Sequence, residues 1–521
     1  MFACFILLSV YSSASLFLPK SVLASSPARQ FSAERAIEHV RVLAQSPRVA
    51  GTTGMEPAVA YVVNAMHACT LNPEIQLAPS PIGTLRNIIV RIPGNHSGNV
   101  ILIVSHLDSV SYGAGDNASG VAVLMEVACS LQAGEPLKND IVLLFEDGEE
   151  VSSLGNYLGG YAFAATDASI NTIRYAIGLD TAGWGPVVII ETTPNNADLI
   201  QIYANSVQNP TAFGFFADMV SITGDTSEIQ PFRERGILGL ALEDPTAFYG
   251  KHHEADTVEM IHPGSLQQMG DQVLSLVQAL GDSDLTSSSG SKHSYFTLYG
   301  LGVVDYPAEL NLAFAALSVI GLAALIAKGI REEIYSVRVF FLSTVYLLLV
   351  IIGAVIVGVF GSIAFRILFP PPYLGTEKYL EKYLIPASLP FFLVVLLIIL
   401  LAYLIVRKKL VKTMGSPAAT LAGLLIWISL SIVSSVLLPV GSYIFTIPSL
   451  AMVLVAFLPD RWKFIQVIPA GIATVLSSPN VVLTFLSSGM LALAPVTILM
   501  ILNTELWADA SSSFTSDQLK R

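Results

Sequence analysis

From Glu309 to about Asn503 the chain is a succession of apolar stretches, most separated by prolines and polar loops. Each approaches the roughly 20 residues that an α-helix needs to cross a bilayer. Seven candidate spans can be placed, at 309–327, 339–365, 386–406, 418–438, 440–458, 464–479 and 481–502. The 464–502 stretch also reads as one span plus a re-entrant piece. The composition agrees: 53% of the residues are hydrophobic and 13% charged, against about 25% charged in an ordinary soluble domain. A wholly soluble, a disordered and a fibrous chain are thereby excluded. Cations are expected on the cytoplasmic side of such spans. Lys328, Arg331 and Arg338 fall in one connection, Arg407, Lys408, Lys409 and Lys412 in another, and Arg461 and Lys463 in a third. These are alternate connections, whereas the 366–383 loop is of mixed charge. The pattern predicts a cytoplasmic tail over 504–521 and places everything before the first span on the extracytoplasmic side.

The front of the chain has a different character. Residues 2–18 form an apolar run of signal-peptide length, followed by small residues at 22–26, without a basic n-region. Residues 1–24 therefore read as a signal peptide or an N-terminal anchor. Over 25–281 the pattern alternates. Helical periodicity occupies 33–45, 56–68, 118–132, 195–207 and 265–281, and strand-like apolar runs occupy 87–92, 100–105, 141–146, 174–180, 187–192 and 237–242. Alternation of this kind predicts an α/β domain with a mostly parallel sheet flanked by helices, followed here by an all-α multi-span transmembrane domain. Residues 282–308 read as a Ser/Gly-rich linker and juxtamembrane segment. Residues 1–295 hold 13 Lys and Arg against 29 Asp and Glu, a net −16. That acidity offers no footprint for a nucleic-acid backbone. Three cysteines, Cys4, Cys69 and Cys129, are too few for a disulfide framework. Cys69 and Cys129 are free either to pair or to fill the core.

Five short segments bring His, Asp and Glu to the ends of predicted strands, where ligands of α/β sheets bind. They are Ser105-His106-Leu107-Asp108-Ser109, the Gly-rich loop Gly113–Gly120 with Asp116 and Asn117, Asp147-Gly148-Glu149-Glu150, Leu179-Asp180-Thr181, and Lys251-His252-His253-Glu254-Ala255-Asp256-Thr257. Crowded carboxylates are unfavourable unless a cation neutralises them, and zinc takes imidazole nitrogen together with carboxylate oxygen. Each segment alone has a plainer use: Asp116 as a helix cap, Asp180 as a turn residue, the Glu pair as solvated surface. His39, His67, His253 and His262 read as surface or packing residues. Asn117-Ala118-Ser119 is a glycosylation sequon inside the proposed site, and Asn95-His96-Ser97 is a better-placed one.

Taken in order, these segments resemble the co-catalytic di-zinc aminopeptidases typified by bacterial leucyl aminopeptidases. The resemblance covers about residues 33–280. It implies a zinc-aminopeptidase-like fold and two Zn2+ per chain, held by His106, Asp116, Glu150, Asp180 and His252, with Asp116 bridging the ions. It implies Glu149 as general base and Asp108 as the catalytic-site residue that orients His106. Lys251 stands where the family has Tyr and His253 where it has Thr, so oxyanion contacts fall to Lys251 or to Tyr249. A peptidase domain followed by several spans resembles the endoplasmic-reticulum metallopeptidase and vacuolar membrane protease subgroup, whose juxtamembrane and membrane segments are similar to 295–306 and 439–448. The implied protein is a membrane-anchored aminopeptidase acting on a peptide or protein. Glutaminyl-cyclase-like or carboxypeptidase chemistry on the same scaffold, and a non-catalytic receptor or transporter, are the alternatives.

Overall fold

A computed structural model describes residues 2–96, 98–151, 156–224, 226–246, 251–285, 290–368, 385–459, 465 and 467–518. The chain divides into two compact units: an α/β unit of residues 15–213 and 219–305, and a helical unit of residues 1–14, 214–218 and 306–521. In chain order the first helix, α1 (Phe2–Ser13), belongs to the helical unit.

The α/β unit is built on β1 (Glu74–Ser80), β2 (Gly83–Ile92), β3 (Val100–His106), β4 (Asp140–Glu146), β5 (Ile173–Leu179), β6 (Val188–Thr192) and β7 (Leu238–Glu243), in the sheet order β1-β2-β4-β3-β5-β7-β6. The central strands β4, β3, β5 and β7 run parallel, while β1, β2 and β6 add antiparallel edges. Every residue of β3 is buried, as expected of a parallel strand covered on both faces. Its helices are α2 (Ala33–Leu43), α3 (Glu56–Ala68), α4 (Gly120–Gln132), α5 (Leu158–Thr166), α6 (Ala197–Ser206), α7 (Gly214–Thr223, which begins in the helical unit), α8 (Gln230–Arg233) and α9 (Pro263–Asp282). Phe163 of α5 and Phe232 of α8 join Leu102 and Val104 of β3 and Val142 and Leu144 of β4 in one core cluster.

Two features of this unit were not legible in the sequence. The segment Glu74–Ser80 is mostly exposed; its polar composition hid an edge strand that has little apolar surface to bury. Residues 295–306, read as juxtamembrane, form most of a hairpin of β8 (His293–Leu298) and β9 (Gly302–Pro307). Gly300 and Gly302 turn it with φ of 75° and 93°, a region that side chains beyond Gly disfavour. Cys69 and Cys129 are bonded, joining the end of α3 to α4 across 60 residues of chain. Closing a loop of that length restricts the unfolded chain by roughly 4 kcal/mol. Cys129→Ser is expected to lower the denaturant midpoint of the folded chain, and an unchanged midpoint would show that the bridge carries no stability.

The helical unit contains α10 (Glu309–Arg331), α11 (Val337–Leu368), α12 (Ile385–Met414), α13 (Ser416–Leu437), α14 (Tyr443–Ala456), α15 (Val467–Ser488) and α16 (Leu493–Gln518). Among the described residues, α10, α11, α12, α13 and α15 are long and apolar enough to cross a membrane, and α14 is shorter. Arg407, Lys408, Lys409 and Lys412, expected in a loop, lie in the last turns of α12. A helix of 30 residues is about 45 Å long at 1.5 Å per residue and outruns a hydrocarbon core of about 30 Å, so its basic end emerges still helical. Arg461, Lys463, most of the 366–383 loop, Lys520 and Arg521 lie outside the described residues. Polar side chains join helices in the interior. Asn503 donates to Ser477 Oγ at 2.8 Å, and Arg407 Nε lies 2.8 Å from Glu505 Oε2. At the front, α1 packs on this unit through Ser478 Oγ to Ser9 Oγ at 3.1 Å and an edge-to-face contact of Phe5 with Trp507.

Candidate metal centre

Because β3, β4 and β5 are parallel neighbours, their carboxyl ends deliver His106, the loop after Glu146, and Asp180 to one edge of the sheet. The loop bearing Asp116 is held against that edge from several sides. Asn117 Nδ2 donates to Ser105 Oγ at 3.0 Å and to the Leu179 carbonyl at 2.9 Å, and Gly120 N donates to Asn117 Oδ1. Asn117 is thus buried and fully used, which removes it as a glycosylation acceptor. Asp256 accepts from Gly115 N at 2.5 Å and from Asp116 N at 2.9 Å, so the loop that carries His252 also fixes the loop that carries Asp116. At Gly113, with φ 58°, an added Cβ would come within 2.4 Å of the Asp116 carbonyl, and only Gly fits. Buried Arg48 ties the same region down, donating to the carbonyls of Leu43, Leu107, Tyr112 and Gly113 at 2.7–2.9 Å. A lone Arg in a loop gave no sequence signal of this role.

The donors converge. His106 Nε2 lies 3.2 Å from Asp116 Oδ1 and 3.4 Å from Asp180 Oδ1, and Glu149 Oε2 is 4.0 Å away. His252 Nε2 lies 2.8 Å from Glu150 Oε2 and 3.2 Å from Asp116 Oδ2. Asp116 therefore faces one imidazole with each oxygen. Asp116, Glu150 and His252 form one cluster with metal-ligand spacing, and His106, Asp180 and Glu228 form another. Glu228 is an addition that sequence reasoning missed, because Thr226-Ser227-Glu228 matches no motif and follows no predicted strand. His253 is exposed, and Tyr249 lies outside the described residues.

Asp108 also contacts the Glu pair. Its carboxylate accepts from Glu149 N at 3.1 Å and Glu150 N at 3.0 Å, which places the side chain under the backbone of the Glu pair. The nearer acceptor for His106 Nδ1 is the Asp108 carbonyl, at 3.1 Å, while the carboxylate is 3.7 Å away. Lys251 also has a defined place, with Nζ 3.3 Å from Asp180 Oδ2 and 3.1 Å from Glu243 Oε1.

The electrostatics are those of a site built around positive charge. Burial opposes charge on His106, yet Asp108, Asp116 and Asp180 hold its pKa well above the ordinary value. Hydrogen bonds to Asp116 and Glu150 raise His252 to about 10. Burial raises Glu149 well above the ordinary carboxylate, and Asp180, Glu150 and Asp108 push the same way against His106. Protonated imidazoles thus stand where cations would. Glu150 Oε1 is buried with no hydrogen-bond partner, an expensive condition in an apolar surround. A divalent cation amid these oxygens and nitrogens relieves both problems, and the donor set fits one.

Residues 87–277 match the sequence profile of peptidase family M28. This stretch is similar to the M28 peptidases. The chain is 32% identical over 241 residues to endoplasmic reticulum metallopeptidase 1 of Mus musculus, an alignment covering 44% of this chain and 26% of that protein. It is 28% identical over 224 residues to the vacuolar membrane protease of Candida glabrata, covering 41% and 23%. It is 28% identical over 206 residues to aminopeptidase YwaD of Bacillus subtilis, covering 37% and 44%. The chain therefore spans about a quarter of the length of the first of these relatives. The M28 match begins within β2 and ends within α9, so it contains His106, Asp116, Glu149, Glu150, Asp180, Glu228 and His252.

Proposed function

We propose that the chain is a membrane-anchored metallo-aminopeptidase whose M28 domain holds two zinc ions and removes N-terminal residues from peptides. The observation that carries this reading is the convergence of His106, Asp116, Glu150, Asp180 and His252, with Glu149 beside them. Nitrogen and carboxylate donors of this kind suit zinc, and Asp116, set between the two imidazoles, is placed to serve both ions. When bound, the ions would polarise a water molecule and the scissile carbonyl. The chain's own part is proton traffic. Glu149 takes the proton of the attacking water and returns it to the leaving amine. Asp108 keeps Glu149 and Glu150 in place through their backbone N–H groups. Lys251, half-buried at the edge of the site, supplies positive charge where the family has a Tyr.

The Cys69–Cys129 bridge supports an extracytoplasmic M28 domain, since disulfides persist in oxidising compartments. The Lys and Arg residues at the ends of α10 and α12 support the opposite side for those ends, with the helical unit in the bilayer.

Full-length protein in detergent tests the activity on peptides with free and with blocked N-termini. Release of N-terminal residues from free peptides only, abolished by chelator and restored by zinc, is expected. Equal cleavage of blocked peptides would overturn the aminopeptidase reading. Cyclisation of N-terminal Gln without hydrolysis would replace it with the cyclase reading.

A further inference from the structure

Glu228 is fully buried at 1% exposure, and its Oε2 has no hydrogen-bond partner. It lies just before α8, on the side of the centre formed by β5. Gly178 of β5 leaves the space it occupies: a Cβ there would sit 3.2 Å from Glu228 Oε2. An ionised carboxylate buried without a partner is strongly unfavourable. A cause for its presence is therefore required. Its surroundings supply one. A carboxylate oxygen of Glu228, one of Asp180 and a ring nitrogen of His106 all lie within 4.8 Å of one another.

The neighbouring Lys251 makes the requirement specific. Its ammonium group lies 3.1 Å from Glu243 and 3.3 Å from Asp180, so the share of its charge not met by Glu243 takes up negative charge that would otherwise attract an ion to the His106 side. Among the described residues, no ammonium group is paired with Glu150. An ion beside His106 and Asp180 meets the part of the Lys251 charge that Glu243 leaves, and a further anion on that side offsets it.

We infer that Glu228 is a ligand of the ion on the His106–Asp180 side, supplying the negative charge that Lys251 withdraws from Asp180. The inference rests on the two-ion reading above and adds a sixth side chain to it. The two ions then differ: one is held by Asp116, Glu150 and His252, the other by His106, Asp116, Asp180 and Glu228. Loss of the Glu228 charge weakens the second and spares the first.

The test is zinc titration of chelator-stripped full-length protein, with metal content counted after dialysis. The wild type is expected to bind two ions. Glu228→Gln, which keeps shape and removes charge, is expected to bind one as tightly as the wild type and the other on the order of 10–100-fold more weakly. Lys251→Met is expected to tighten the second ion. If Glu228→Gln does not fold, Glu228→Asp, whose carboxylate is withdrawn by one methylene, is expected to weaken the same ion alone. Two ions bound by Glu228→Gln within about twofold of wild-type affinity would overturn the inference. So would a wild type that binds only one ion, even if it is a zinc-dependent aminopeptidase. Zinc-independent hydrolysis, in contrast, would overturn the proposed function itself.

Discussion

Glu149→Gln is expected to keep its zinc and lose turnover by about 10³-fold or more. A positioned general base contributes about 10²–10⁴-fold, and here the same group is asked to deliver the proton to the leaving amine. The amide has the shape of the carboxylate and does not accept a proton. Its backbone N–H still donates to Asp108 Oδ1, so the loop has no reason to move. In the proposed reading Glu149 is not needed to hold either ion, because the ligating oxygens would come from Asp116, Glu150 and Asp180. The measurement pairs metal content with kcat on one preparation. Retained zinc with kcat within about tenfold of wild type would remove Glu149 from the base role.

Asp116→Ala is expected to lose both ions and all measurable hydrolysis. Among the described residues, Asp116 alone lies within 4 Å of both imidazoles, at 3.2 Å each. The substitution should not unfold the zinc-free protein. Burial and then the Asp116 carboxylate push the Glu150 pKa up, while hydrogen bonds to His106 and His252 hold Asp116 well below the ordinary value against burial, so the substitution relieves Glu150 but takes a partner from each imidazole. The discriminating readout is thermal. Zinc at 100 times its dissociation constant stabilises a folded protein by about 2.7 kcal/mol. That zinc-induced rise in melting temperature should appear in the wild type and vanish in Asp116→Ala. A variant with two bound ions and a normal zinc-induced rise would refute the shared position of Asp116.

The donors were legible because each sits where a strong local pattern ends. Residues 100–105 and 174–180 are apolar runs that only a buried strand explains, and His106 and Asp180 close or end them. The helix over 120–132 marks the loop before it, and with it Asp116. What escaped reading acts across the chain rather than along it. Arg48 reaches carbonyls 59 to 65 residues away as well as Leu43. Glu228 belongs to the centre only because β5 carries a Gly opposite it. The same limit applies to the fold. Edge strand β1 and the β8–β9 hairpin depend on neighbours more than on their own apolar surface, while the fully buried β3 announces itself.

The two amide groups that hang from Asp108 have a consequence for how such a protein changes over time. In the proposed reading Glu149 is the proton acceptor and Glu150 the metal ligand, and these neighbours in the chain are pinned by one carboxylate. Their spacing is then set by a single peptide unit and one anchor, and does not rely on whatever follows Glu150. Insertions or rewriting beyond that point can then accumulate while Glu149 and Glu150 keep their alignment.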